Sequence, residues 1–255
     1  MSMGQSDIIL RAEKLSKRFG GFNAVSDVDL RVRRGSIHAL IGPNGAGKTT
    51  CFNLLTKFLQ PTGGTITFDG RDITSLAPAE IAQLGLARSF QISAVFPRLT
   101  VLENVRLALQ RRYRGDSFDF WRSERVLHRY EAEARERLAT VGLTEYAGVP
   151  AGELPYGRKR ALEIATTLAL EPRMMLLDEP MAGMAQEDVA RISALIRSVA
   201  AGRTILMVEH NLSVVAELSD RITVLARGQV LAEGSYEEVS KDARVIEAYI
   251  GVGHG

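Results

Sequence analysis

The chain of 255 residues has little of several features that define whole classes of protein. Its single cysteine, Cys51, excludes an internal disulfide framework and favours a reducing compartment. The longest apolar runs are well short of the ~18 residues of a membrane-spanning helix. The opening residues, MSMGQSDIIL, lack the charged-then-apolar pattern of a signal peptide. Because 32 Lys and Arg face 30 Asp and Glu, the charge is nearly balanced, and we expect no nucleic-acid partner.

The apolar runs that are present predict an α/β domain around a parallel sheet. The apolar run at residues 37–41 predicts a strand, and the continuous apolar runs at residues 174–177 and 204–208 are typical of central strands covered on both faces. Between the last two, residues 187–200 have the apolar spacing of a helix, so this part predicts a strand–helix–strand unit. With 45% hydrophobic residues, the chain suits one large domain or two small ones.

Other patterns predict an antiparallel sheet and a helical insertion. Residues 28–33 alternate between apolar and polar, and residues 65–68 precede an Asp-Gly turn, so both are predicted strands of a small antiparallel sheet. Residues 102–139 are rich in Arg, Glu, Leu and Ala and predict an inserted helical region. Near the C-terminus, an Arg-Gly pair at 227–228 predicts a hairpin, and residues 239–250 predict a final amphipathic helix.

The helical insertion contains a short basic cluster, Arg111, Arg112 and Arg114. A solvated face is the simpler interpretation of such a cluster. Contact with lipid headgroups or with an acidic partner is the alternative.

A glycine-rich segment after the first apolar run predicts a phosphate-binding loop of the form G-x-x-x-x-G-K-[ST]. Its residues are Gly42, Pro43, Asn44, Gly45, Ala46, Gly47, Lys48, Thr49 and Thr50. Backbone N–H groups in such a loop surround phosphate oxygens, and the helix that follows points its N-terminus at the anion. Since Lys48 is expected to reach the β- and γ-phosphates and the Thr49 hydroxyl to bind Mg²⁺, the segment predicts nucleotide binding.

Polar residues after the other two runs match the needs of phosphoryl transfer. Asp178 ends one run and is a candidate Mg²⁺ ligand, and Glu179 is a candidate general base for the attacking water. A helix cap is the alternative for this acidic pair, but the phosphate loop favours catalysis. His210 ends the last run, where ligands of open α/β sheets gather, and is a candidate to bind the γ-phosphate or the water.

Two further candidates depend on weaker signals. Gln91 lies at the start of the helical insertion, where its amide is a candidate metal contact and a candidate hinge contact. Phe19 lies beside a Gly-Gly turn and is a candidate to stack on a nucleobase. A packing role is the alternative for Phe19.

Taken together, these segments resemble the ATPase subunit of an ABC transporter over nearly the whole chain. The resemblance depends on residues 42–50, Gln91, LPYGR at 154–158, LLDEP at 176–180 and Glu-His at 209–210. It implies one P-loop NTPase domain over residues 1–255. That domain has a mostly parallel core sheet, a small antiparallel β-subdomain and an inserted helical subdomain at about 92–170 that contains the signature motif.

The resemblance also implies roles for individual residues, with ATP and Mg²⁺ as cofactors. The implied catalytic set is Lys48, Gln91, Glu179 and His210. The implied metal ligands are Thr49, Gln91 and Asp178. The aromatic that stacks on the base is implied to be Phe19.

A closer similarity is to the LivG-like ATPases of branched-chain amino acid importers. It is carried by residues 154–165, 179–184 and 248–251 and by the Arg-rich insertion. It implies uptake of branched-chain amino acids or of related small solutes such as amides, urea and aromatic acids. The implied partners are a second ATPase subunit, identical or not, two transmembrane permease subunits and, indirectly, an external solute-binding protein. The implied location is the cytoplasmic face of the inner (plasma) membrane.

The signature departs from the common sequence LSGGQ. Pro155 replaces the serine, Tyr156 a glycine and Arg158 the glutamine, while Gly157 is kept. In the family this motif completes the ATP site of the partner subunit, where Arg158 would present a cation to phosphate. The residues implied to face that ATP are Leu154, Tyr156, Gly157 and Arg158. Ala185 stands near the position of the usual D-loop aspartate.

The alternatives to an importer subunit are an ABC exporter ATPase, a soluble ABC ATPase that acts on DNA or ribosomes, and a nucleotide-binding partner that hydrolyses poorly. The chain has one cassette without coiled-coil arms, which disfavours the soluble class. The presence of Lys48, Asp178, Glu179 and His210 disfavours the poorly hydrolysing partner.

Overall fold

A computed structural model describes residues 7–89, 95–112 and 124–250 of the chain. The chain divides into two compact units. Unit 1 contains Met1–Leu86, Arg173–Pro180 and Val199–Gly255, and unit 2 contains Ala87–Pro172 and Met181–Ser198. Gln91 and Arg114 lie outside the described residues, as do the side chains of Arg111 and Arg112.

The described residues form helices and strands that are numbered in chain order. They are β1 (Ile8–Phe19), β2 (Phe22–Arg33), β3 (Ile37–Ile41), α1 (Lys48–Leu55), β4 (Gly63–Phe68), β5 (Arg71–Asp72), α2 (Pro78–Gln83), β6 (Leu86–Ser89), α3 (Val101–Arg112), α4 (Glu124–Thr140), α5 (Tyr156–Leu168), β7 (Met174–Asp178), α6 (Gln186–Ala200), β8 (Thr204–Val208), α7 (Leu212–Leu218), β9 (Arg221–Ala226), β10 (Gln229–Gly234), α8 (Tyr236–Lys241) and α9 (Ala243–Ile250).

The core sheet of unit 1 is parallel at its centre. Its strands follow the order β10-β9-β3-β8-β7, and β3 pairs in parallel with both β9 and β8, as β8 does with β7. Every residue of β3, β7 and β8 is buried, which explains why these strands appear in the sequence as continuous apolar runs. The parallel core and the hairpin of β9 and β10 are both confirmed.

The second sheet of unit 1 is antiparallel, with the order β2-β1-β4-β5. Its existence confirms the predicted small sheet, but its first two strands have 12 residues each and are longer than the pattern indicated. Four register shifts along the pairing of β1 with β2 interrupt the alternation of buried and exposed residues. Because a bulge breaks the two-residue period, the sequence pattern marks only residues 28–33 of this pair.

Two predicted helices differ from the structure in unit 1. Residues 51–58 predict a helix after the phosphate loop, but the helix runs over Lys48–Leu55 and ends before Lys57, which has φ 62°. Its Cys51 is fully buried, and burial raises the pKa of the thiol to about 12. The predicted final helix is instead two helices, α8 and α9, because Asp242 between them is extended and accepts the Arg244 N–H.

Unit 2 is helical, as the insertion pattern predicts. Helices α3, α4 and α5 pack on one another through buried side chains, among which Tyr130 of α4 is fully buried. A salt bridge between Arg160 and Glu163 lies inside α5, with both side chains 6% exposed. Among the helices of the described residues, none has the length and hydropathy of a membrane span.

Candidate active site

Three neighbouring strands of unit 1 deliver the predicted catalytic segments to one edge of the core sheet. Strand β3 leads into the phosphate loop, β8 into residues 209–211, and β7 into residues 178–179. Because β3, β8 and β7 are adjacent and parallel, their carboxyl ends meet at the same edge. The structure thus brings together the segments that the sequence assigned separately to phosphate, metal and water.

The glycines of the phosphate loop have different surroundings. A Cβ built on Gly42 would lie 2.1 Å from the carbonyl oxygen of Leu225, and one on Gly47 would lie 2.6 Å from that of Ala24. Among the described residues, no heavy atom comes within 4 Å of a Cβ built on Gly45. The ends of the loop are therefore fitted against neighbouring backbone, while its middle faces open space in which a phosphate chain can approach.

Lys48 is held inside the loop. Its ammonium donates to the carbonyl oxygens of Gly42 at 2.6 Å and Pro43 at 2.9 Å, and the residue is 9% exposed. Burial lowers the pKa of Lys48, and the nearby Glu179 carboxylate partly opposes that shift. The two carbonyls use two of the three N–H donors of the ammonium and place it at the mouth of the loop.

The first turn of α1 offers backbone donors and a hydroxyl. Gly47 precedes this helix and has no side chain to cap its first N–H groups, which suits an incoming anion.

Thr49 is exposed, and Thr50 is half-buried, as are Pro43 and Gly47. Asn44 is exposed and Ala46 is buried, so the loop has both solvent-facing and packed residues.

The acidic pair lies at the end of β7. Asp178 is 3% exposed, and the Glu179 N–H donates to the Val208 carbonyl oxygen at 2.9 Å. Glu179 has φ 44°, a conformation that a non-glycine residue adopts at a cost of roughly 1–3 kcal/mol and that clusters at active sites. The bond to Val208 therefore holds the glutamate in a strained turn directly after β7.

His210 is positioned by its neighbours in sequence. The fully buried Glu209 accepts the backbone N–H groups of His210 at 3.0 Å and of Asn211 at 3.2 Å. The Asn211 side chain caps α7 by accepting the N–H groups of Ser213 and Val214. The sequence named Glu209 only within the Glu-His pair at 209–210 and gave it no role, since residue spacing does not show that its carboxylate accepts the backbone N–H groups that follow it.

The distance between His210 and Glu179 suits two groups that share a ligand. His210 Nδ1 lies 4.0 Å from Glu179 Oε1, which is too long for a direct hydrogen bond. The imidazole is 62% exposed and the carboxylate 29%, so both side chains are accessible to a bound molecule.

The donors available for Mg²⁺ fit that ion. Asp178 offers one carboxylate and Thr49 one hydroxyl, and Mg²⁺ is commonly held by one or two carboxylates together with substrate phosphates and water. Among the residues that the structure describes, no group of three His, Cys, Asp or Glu side chains could form an all-protein cage. Gln91, the third predicted ligand, lies outside those residues.

Phe19 is the last residue of β1 and is 47% exposed. Lys17 Nζ lies 5.3 Å from the centre of its ring. Phe22 pairs with Phe19 across the hairpin and is 66% exposed, so the tip carries a second aromatic that no sequence pattern had marked. Phe19 is exposed enough for the predicted stacking on a base, which stays a prediction.

The signature residues lie in unit 2, at the start of α5. Leu154 is 3% exposed, and Pro155 precedes the helix. Tyr156 is 54% exposed, and its hydroxyl donates to the Ala182 carbonyl oxygen at 3.0 Å. The Arg158 guanidinium donates to the Gly142 carbonyl oxygen at 3.1 Å, so it takes part in contacts within its own unit.

Comparison with known families decides the class of this site. The family model described as ABC transporter matches residues 25–182, which is more than half of the chain. The chain belongs to the ABC transporter family. A second model, described as branched-chain amino acid ATP-binding cassette transporter, matches residues 229–255.

Individual relatives agree with the family. The high-affinity branched-chain amino acid transport ATP-binding protein BraF of Pseudomonas aeruginosa is 41% identical over 253 residues, covering 95% of this chain and 98% of that protein. The corresponding protein LivG of Salmonella typhimurium is 40% identical over 252 residues, covering 96% of this chain and 99% of that protein. The predicted LivG-like resemblance is confirmed.

Solved structures agree with the fold. The ADP conformation of MJ1267, an ATP-binding cassette of an ABC transporter, matches with a TM-score of 0.84 and 34% identity, covering 96% of this chain and 99% of that one. The α/β cassette fold with an antiparallel sheet is confirmed, and the chain is an ABC ATPase.

Proposed function

We propose that this ABC chain is the ATP-binding and hydrolysing subunit of an importer for branched-chain amino acids or related small solutes. The observation that supports hydrolysis is the meeting of the phosphate loop, Glu179 and His210 at the ends of adjacent parallel strands. The names of the relatives support the solute class, and the match of residues 229–255 to the branched-chain model supports import. Amides, urea and aromatic acids are the other solutes within this proposal.

In the proposed reaction, the protein positions ATP and neutralises charge. Gly45 and the loop N–H groups surround the phosphates, and the Lys48 ammonium leaves its loop carbonyls for the β- and γ-phosphate oxygens. Phe19 stacks on the base. When bound, Mg²⁺ neutralises phosphate charge, and Thr49 and Asp178 would hold it, with Gln91 as a third ligand.

Glu179 acts as the general base in this proposal. Its carboxylate accepts a proton from the attacking water, and His210 binds the γ-phosphate or that water from the neighbouring strand end. Glu209 keeps the backbone of His210 in place through its two hydrogen bonds. The strained turn at Glu179 fixes the direction of the base before the substrate arrives.

The proposed assembly is a pair of ATPase subunits on two permease subunits. The signature residues Leu154, Tyr156, Gly157 and Arg158 would complete the ATP site of the second ATPase, and Gln91 would link hydrolysis to the permeases. An external solute-binding protein would deliver the solute from the other side. The subunit would then act at the cytoplasmic face of the inner membrane.

The variant Glu179→Gln tests this proposal because it removes the base and keeps the shape of the side chain. We expect hydrolysis to fall by roughly 100-fold or more, since general bases typically contribute ~10²–10⁴-fold, with ATP affinity retained. Glu187→Gln is the matched control, because Glu187 is an exposed acid in the first turn of α6. Hydrolysis by Glu179→Gln at the parental rate would refute the assigned base.

The same variant tests the assembly. Captured from its native membranes with Mg-ATP, it should bring down two multi-span membrane proteins and a second ATPase. Proteoliposomes that combine the recovered partner subunits and the binding protein with the parental chain should then take up labelled leucine, isoleucine or valine. Recovery of ribosomal or DNA-bound proteins without membrane partners would overturn the transporter assignment.

A further inference from the structure

The start of helix α5 is joined to the segment that follows the catalytic glutamate. The Tyr156 hydroxyl donates to the Ala182 carbonyl oxygen at 3.0 Å, and both residues belong to unit 2. Ala182 lies three positions after Glu179 in the sequence. A hydroxyl of the signature is therefore bonded to the loop that leads directly away from the general base.

A second contact in unit 2 joins the same two segments. A Cβ built on Gly157 would lie 2.5 Å from Asp188 Cγ and Oδ1 and 2.8 Å from Oδ2, so the carboxylate lies against the backbone of Gly157. Arg191 donates to that carboxylate at 2.7 Å and fixes it on α6. Because Pro155 has no side-chain group that can cap α5, a negative charge at this place also favours the first turn of the helix.

The neighbouring Arg158 contacts a different part of unit 2. Its guanidinium lies 5.1 Å from the centre of the Tyr146 ring as well as donating to the Gly142 carbonyl oxygen. Of the described signature contacts, those of Tyr156 and Gly157 are the ones that reach residues 182–188.

We propose that Tyr156 is a positioning residue that acts within its own chain, linking the signature to the loop after Glu179. The proposal rests on the proposed two-subunit function, because the signature serves the ATP of the partner. If residues 181–185 move, the hydrogen bond from the Tyr156 hydroxyl moves the start of α5 with them. The state of the chain's own hydrolytic site would thereby alter how the signature is presented to the other nucleotide.

The hydroxyl is the chemical group that the proposal requires. Phenylalanine at this position keeps the ring and its packing but donates no hydrogen bond to Ala182. The turn at residues 181–184 contains its own bond, in which the Met184 N–H donates to the Met181 carbonyl oxygen at 3.3 Å. Loss of the Tyr156 bond should therefore be seen as more frequent opening of this turn.

The first measurement is amide hydrogen exchange of the full chain, read at Met184. Exchange should be roughly three- to tenfold faster in Tyr156→Phe than in the parent, which is the effect of one neutral hydrogen bond. Tyr236→Phe, which removes a hydroxyl from α8, should exchange like the parent at Met184. Unchanged exchange at Met184 in Tyr156→Phe would overturn the link itself.

The second measurement is the ATP-dependent association of this chain, carrying Glu179→Gln, with the second ATPase that membrane capture recovers. Tyr156→Phe should weaken association by severalfold, while Tyr236→Phe should associate like the parent. Faster exchange with unchanged association would overturn the positioning role. If the chain with Tyr156 intact does not associate with the second ATPase when ATP is present, the proposed two-subunit function is wrong. The exchange result still decides whether the link exists.

Discussion

Gly42 at the start of the phosphate loop is the position where an added methyl group should be least tolerated. It follows β3 with φ 151°, and a Cβ there would lie 2.1 Å from the carbonyl oxygen of Leu225 on β9. The oxygen is a backbone atom of β9, which pairs in parallel with β3, the strand that Gly42 follows. A side-chain rotation therefore cannot relieve the overlap in Gly42→Ala.

The size of the effect follows from two contributions. Ordinary contact begins at 3.4 Å, so the strand or the loop must move by more than 1 Å. Overpacking of this kind costs about 1–3 kcal/mol, and the positive φ adds roughly 1–3 kcal/mol for alanine. For a chain of this length each kcal/mol lowers the Tm by about 2–4 °C, so we expect Gly42→Ala to unfold roughly 10 °C earlier.

Gly45→Ala is the matched control, because Gly45 also has a positive φ, 75°, but faces open space. Its expected cost is the backbone strain alone, about 1–2 kcal/mol. Thermal unfolding of both variants, without nucleotide, compares the two positions directly. If Gly45→Ala is as destabilised as Gly42→Ala, the fit of the loop against β9 is not what requires glycine at Gly42.

Two further predictions concern buried groups. Burial, together with the charge of Arg221, lowers the pKa of His38 from 6.5 to about 3 in the folded protein. Below pH 6.5 the unfolded state therefore binds a proton that the folded state does not. The free energy of unfolding, measured with urea, should fall by about 1 kcal/mol between pH 7 and pH 5.5. His38→Gln should lose this pH dependence. An equal dependence on pH in the variant and the parent would show that His38 is not its cause. Gly157→Ala should raise the free energy of unfolding by up to about 1 kcal/mol, through helix propensity, in an Asp188→Ala background. It should bring no such gain in the parent, because the added Cβ would overlap the Asp188 carboxylate. Additive effects in this double-mutant cycle would show that the carboxylate is not in contact with the glycine.

The sequence predicted the core of the fold because burial leaves a direct trace in it. Strands β7 and β8 are buried along their whole length, and the helix between them shows its apolar spacing clearly. Strand β1 left no such trace, since register shifts break its alternation. The division of the C-terminal segment into α8 and α9 depends on Asp242, whose side chain competes for backbone hydrogen bonds in a way that periodicity does not record.

The site shows the same division between local and long-range information. The positions of the phosphate loop, Asp178 and Glu179 at strand ends are predictable because short motifs beside apolar runs mark them. The role of Glu209 and the bond from Tyr156 to Ala182 were not predicted. Both depend on which backbone groups folding brings close to a side chain, and spacing along the chain does not determine that.

The turn between β9 and β10 is less tolerant of inserted sequence than most hairpin turns. Gly228 accepts the Ser26 N–H at 2.8 Å and donates to the Ala46 carbonyl oxygen at 3.0 Å, so one turn residue is bonded to both the antiparallel sheet and the phosphate loop. Exposed hairpin tips are the usual sites for inserted tags, reporter domains and new chain termini. In this protein such an insertion would pull apart the nucleotide site, and engineered fusions belong at another surface turn.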